Sequence, residues 1–113
     1  MSLHPTFDEL SRFSAEYSAL STLLALFWDP NGKTDAEITK EVIQEYAASW
    51  FEQVIIDGQR FLNQRELPMC LISSGANRWL PTEAAERQWL QTLLDRVQAE
   101  LDAREARADV KRA

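Results

Sequence analysis

Glu37, Glu41 and Glu45 recur every four residues and form the most regular set of chemistry-bearing side chains in the sequence. On a helix such residues share one face, about 6 Å apart. Carboxylates so placed can hold a cation, trade protons or meet a basic surface. The first two uses need further groups. A di-metal helix bundle adds a histidine three residues after a glutamate, and none follows here. The single histidine, His4, lies at the start of the chain, and the single cysteine, Cys70, lies in an apolar run. One of each is too few for the usual zinc ligand sets. A Cys70–His4 dyad can be drawn, but a cysteine among apolar neighbours reads first as core. The three glycines are scattered, so there is no phosphate-cradling loop. No catalytic residue, cofactor or metal site is assigned. An enzyme survives as a reading only through the carboxylates or Cys70.

The third use fits the charge distribution. The chain carries a formal net charge of -6. Residues 1–57 hold ten acids against three bases, a net of -7, and residues 58–113 hold eight acids against nine bases, a net of +1. An acidic half disfavours nucleic acid and anionic membrane, and favours a basic protein surface. Two readings of the glutamate stripe stay open. It is either a solvated face whose N-terminal acids, Asp29 and Asp35, suit the helix dipole, or an acidic docking surface. Four tryptophans stand at 28, 50, 79 and 89. Three are expected in the core, with Trp28, beside the Pro30-Asn31-Gly32 turn, as the candidate exposed hot spot. The candidate partner-binding residues are therefore Trp28, Asp29, Asp35, Glu37, Glu41 and Glu45. For Asn77-Arg78 the favoured reading is a turn-capping asparagine followed by an arginine paired with a nearby acid, and the alternative is a contact with a partner.

The elements that must position these residues are helices. Thr6 and Glu9 form a capping box, and Leu10, Phe13, Tyr17, Leu20, Leu24 and Phe27 then fall in one stripe. That predicts a single helix ending at Trp28-Asp29, before the turn. Thr34 and Glu37 form a second box, opening a helix with Ile38, Val42, Ile43 and Tyr46 inward. Ser49 to Glu52 repeats the signal, so residues 35–63 read as two helices with a break near Ser49, or else as one. Gly58 either permits a close helix approach or costs about 1 kcal/mol relative to alanine. Pro68 bars a helix through Leu67–Ile72, which predicts an extended stretch there, a turn at Ser73-Ser74-Gly75 and one helical turn over Ala76–Leu80. A last helix follows Pro81, with Trp89, Leu90, Leu93, Leu94, Val97 and Leu101 inward.

The expected fold class is thus all-α, a small bundle of three to four amphipathic helices with one short extended segment. It forms a single domain over residues 1–107, with residues 108–113 as a frayed tail. A chain of 113 residues suits one domain. One cysteine allows no internal disulfide and favours a reducing compartment. The apolar stretch from Leu20 to Trp28 is too short to span a bilayer and no targeting segment is visible, so a cytoplasmic protein is expected.

The order of elements resembles the immunity proteins of contact-dependent growth inhibition systems. Glu41-Val42-Ile43 with Tyr46, Val54-Ile55 with Gly58, Phe61-Leu62, Leu67-Pro68 with Ile72, Ala76-Asn77-Arg78-Trp79, Glu83-Ala84, and Trp89-Leu90 with Leu94 carry the resemblance, which spans about Phe27 to Leu101. Ala76-Asn77-Arg78-Trp79 before a Trp-Leu helix is its most distinctive part. The order Phe27-Trp28-Asp29 departs from the Asp-Trp ending of some members. The resemblance implies a non-enzymatic protein that binds and neutralises a cognate toxin domain, commonly a basic nuclease, with no direct contact to nucleic acid or membrane. A homo-oligomer is compatible but not required. The competing expectation is a helical adaptor or regulatory subunit, self-associating through the Leu10–Phe27 stripe.

Overall fold

The computed structural model describes residues 6–28, 31–65 and 71–112, with side chains of the last helix described through residue 107. The order of elements is α1 (Phe7–Glu16), α2 (Ser18–Ala25), α3 (Asp35–Glu45), α4 (Ala48–Leu62), α5 (Leu71–Ala76) and α6 (Glu83–Arg112). The all-α class holds, and there is no strand among the described residues. Among the described residues the helices number six, where three to four are expected from sequence, and the extended segment is not matched.

The difference in count has local causes. The stripe from Leu10 to Phe27 is continuous, but the backbone breaks at Tyr17, at φ -128° and ψ 52°. The break leaves the first turn of α2 without a side-chain cap of its own. Asp57, from the middle of α4, supplies one: its Oδ2 accepts the Leu20 N–H at 3.4 Å, and its Oδ1 accepts from Gln53 Nε2 at 2.9 Å. This acid is 3% exposed, so its charge is satisfied by an amide, a helix N-terminus and the nearby Arg60 guanidinium at 3.9 Å. Phe13, in the last turns of α1, and Tyr17, at the break, both pack edge-on to Phe61.

Between α3 and α4 the chain does break, at Tyr46-Ala47, two to three residues before the Ser49 position read from the sequence, and Ala47 caps α4 without a side-chain bond. Leu71 and Ile72 open α5 and are not extended, whereas Glu66–Cys70 lie outside the described residues. A proline disfavours helix at the residue before it and in the turn that precedes it, not after it, and Leu71, Ile72 and Ala76 bury one face of a short helix. The helical turn read over Ala76–Leu80 falls earlier, because Asn77 adopts φ +52° and the Arg78 N–H returns to Ser73 O at 3.0 Å, a Schellman stop.

Helix α2 lies at the centre, packed on α1, α4 and α5, while α6 crosses α3, α4 and α5. Leu20, Leu24 and Phe27 are fully buried with Ile43, Phe51, Val54, Phe61, Ile72, Leu90 and Val97. The Leu10–Phe27 stripe is therefore mostly core; Leu10 and its neighbour Phe7 are its exposed end. No described helix is long and apolar enough to cross a membrane.

Candidate functional site

The Thr34 capping box sets the start of α3. Thr34 Oγ1 accepts the Glu37 N–H at 3.2 Å, and Glu37 Oε1 accepts the Thr34 N–H at 3.3 Å. With that register fixed, Ile38, Thr39, Val42 and Ile43 turn inward, and Glu37, Glu41 and Glu45 form one solvent-facing ridge. The ridge is partly compensated. Lys33, in the turn before α3, reaches Glu41 at 2.7 Å. Its hydrogen bond with Glu41, and then that carboxylate's charge, hold the Lys33 ammonium above its ordinary value of 10.5.

Asp35 differs from the other acids of α3. Its Oδ1 meets Arg78 Nη2 at 2.7 Å and its Oδ2 accepts from Trp89 Nε1 at 3.0 Å. Both oxygens thus join α3 to the segment after α5 and to α6. This bears out the favoured reading of Arg78 as the partner of a nearby acid, and it gives Asp35 a bracing role inside the fold. Asp29 lies outside the described residues, as do His4 and Cys70.

Arg78 also donates through Nη1 to Phe27 O at 2.9 Å and to Ala76 O at 3.1 Å. Asn77 Nδ2 donates to Trp28 O at 3.2 Å. This clamp draws the end of α2 and the end of α5 together and displays two indoles there. Trp28 is 54% exposed and Trp79 is 88% exposed. The expectation of three core tryptophans fails: Trp50 and Trp89 pack against the core, but Trp79 stands in solvent. Its position was legible only as part of the Ala76-Asn77-Arg78-Trp79 run, because the Schellman stop that turns it outward depends on where α5 ends.

Two further arginines act as Arg78 does. Arg87 donates to Leu62 O at 2.8 Å and Gln64 O at 2.9 Å, at the end of α4. Arg104 donates to Ile43 O at 3.0 Å and Tyr46 O at 2.9 Å, at the end of α3. Neither α2 nor α3 has a base in its own last turn, so cations from the second half of the chain satisfy their free carbonyls and negative dipole ends. The result is a division of labour: these bases face inward while Glu37, Glu41 and Glu45 face out. Among the described residues, no group of three or more His, Cys, Asp or Glu is placed to hold a metal ion.

Comparison with family models, with curated proteins and with solved structures finds no match to this chain.

Proposed function

We propose that this chain is an immunity protein that binds and neutralises the toxin domain of a contact-dependent growth inhibition system in the cytoplasm. It acts without catalysis or cofactor, by covering the toxin's active site or substrate-binding surface. The observation that carries this reading is the ridge of Glu37, Glu41 and Glu45, exposed on a helix whose neighbouring arginines point inward. A nuclease domain must attract phosphates and so presents a basic surface. A carboxylate ridge complements such a surface and speeds encounter. Trp28, exposed at the end of α2, adds the apolar contact that charge alone lacks.

The test is co-expression with the protein encoded by the adjacent reading frame, followed by purification and a growth assay. A one-to-one complex and protection from growth arrest are the expected results. Reversal of the ridge by Glu37→Lys, Glu41→Lys and Glu45→Lys together should slow association at low salt by about tenfold or more. Normal binding by that variant at low salt would remove α3 as the docking face. A chain that co-purifies only with itself would remove the immunity reading.

A further inference from the structure

The turn ahead of α3 holds an Asn-Gly pair that neither the core nor the acidic ridge uses. Asn31 and Gly32 stand at φ +51° and +79°, the left-handed pair that tight turns favour for this dipeptide. Both are exposed, and nothing lies within 4 Å of the place a Gly32 Cβ would take. Among the described residues, no hydrogen bond engages the Asn31 carboxamide or the Gly32 N–H. Asn63 and Asn77, the other asparagines of the chain, are held differently. The N–H that follows Asn63 donates to Phe61 O at 3.3 Å, and the N–H that follows Asn77 donates to Ser73 O at 3.0 Å. Asn77 also commits its Nδ2 to Trp28 O at 3.2 Å. Asp57-Gly58, a pair of related chemistry, lies inside α4.

A free main-chain nitrogen beside an asparagine is a nucleophile next to an electrophile of its own chain, and asparagine is thermolabile. Glycine on the nitrogen's side adds no Cβ to block the approach and leaves the backbone free to turn. We propose that Asn31-Gly32 is a self-modifying site. The Gly32 nitrogen gives up its proton to hydroxide and attacks Asn31 Cγ. The new bond closes a five-membered succinimide as the Cγ–Nδ2 bond breaks and ammonia leaves. Water then opens the ring. Cleavage at the side-chain carbonyl restores the main chain with aspartate at 31, and cleavage at the main-chain carbonyl reroutes the chain through Cγ as isoaspartate. The net change is one water consumed and one ammonia released. A neutral carboxamide becomes a carboxylate, which adds one negative charge to the chain's -6. That charge arrives two residues ahead of Lys33, the cation that reaches Glu41 at 2.7 Å. Aspartate tolerates a positive φ and keeps the turn, whereas isoaspartate lengthens the main chain by one atom just ahead of Lys33.

The test needs no partner, so its outcome is separate from that of the immunity reading. The full chain is warmed at mildly alkaline pH beside a short peptide of the same local sequence. Both are followed by mass spectrometry, isoelectric focusing and enzymatic isoaspartate labelling. The protein should gain one acidic species whose mass increase, an amide replaced by an acid, maps to residue 31. The isoaspartate label should fall in the same fragment, while Asn63 and Asn77 stay intact. Asn31→Asp should focus at the acidic position from the start. Asn31→Gly accepts the positive φ and should lose the acidic species altogether. An Asn31 that persists in the folded protein after the peptide has converted overturns the proposal, because the turn then protects the pair. Conversion at Asn63 or Asn77 ahead of Asn31 overturns it as well, because a free N–H is then not what selects the site.

Discussion

Asp35 stands among the acids of α3 in the sequence but works inside the fold. Its two oxygens take different donors from different elements, Arg78 and Trp89. Asp35→Ala removes both acceptors. It leaves the Trp89 N–H unmatched in a partly buried place, and it leaves the Arg78 guanidinium with main-chain carbonyls only. Hydrogen bonds to charged groups contribute about 1.5–3 kcal/mol each. Because they act here as one network, a loss of about 3 kcal/mol is expected, read as a lower urea midpoint with an unchanged slope. Glu45→Ala, on the exposed ridge, should move the midpoint little. The same comparison shows what single residues reveal. That Arg78 needs an acid is legible from its type and its place beside a turn. Which acid, 43 positions away, is not, because nothing local distinguishes Asp35 from Glu37. Lys33, which precedes α3 and is not on the helix at all, is the cation that reaches the ridge. The Lys33 pKa is raised, so the pair's contribution is fully present below the ordinary value of 10.5 and is lost as pH climbs through the higher folded value. Acidification toward neutral pH and somewhat below leaves it intact on the lysine side.

At the scale of elements, periodicity located the buried faces well and the breaks poorly. Phe13, Tyr17, Leu20, Leu24 and Phe27 are all core, as their spacing requires, yet two helices share that stripe. The interruption is stabilised by Asp57, a buried cap delivered across 37 positions. Hydrophobic spacing carries no trace of such a partner. Gly58, the next residue, settles a choice that the sequence left open. A Cβ built there would lie 2.6 Å from both Cδ atoms of Leu94 and 3.1 Å from its Cγ, so the glycine exists to let α4 and α6 approach. Leu94 is buried and cannot swing into solvent to make room. Gly58→Ala gains about 1 kcal/mol of helix propensity but overpacks the contact, which typically costs about 1–3 kcal/mol. A net loss of about 1 kcal/mol is expected in chemical denaturation. Coupling identifies the cause: Leu94→Ala made in the Gly58→Ala background should cost less than Leu94→Ala alone, where the cavity stays open. Additive costs would mean that the two residues do not contend for the same space.

Over the whole molecule, the charge imbalance between the two halves of the chain becomes an arrangement in space. The acids of the first half supply the ridge on α3, and Arg78, Arg87 and Arg104 of the second half close the carbonyl ends of α2, α3 and α4. The chain's overall acidity therefore understates how negative the α3 face is, since several of its nominal counter-charges are turned away from solvent. The sequence shows the imbalance but not its disposition, because a lone arginine on a polar helix face looks the same whether it meets water or a distant carbonyl. This arrangement makes a kinetic prediction about the complex with a basic partner. Long-range attraction acts before contact and is screened over about 8 Å at physiological salt, so raising salt from low to about 0.5 M should slow association by about tenfold or more while dissociation changes little. Trp28→Ala should do the reverse, raising the dissociation rate while leaving the salt slope of association as it was, because an uncharged indole contributes only once the surfaces have met. Surface plasmon resonance across a salt series measures both rates. A salt-independent association rate would place the contact on a face other than α3, and a Trp28→Ala effect confined to association would mean that the indole orders the ridge and does not enter the interface.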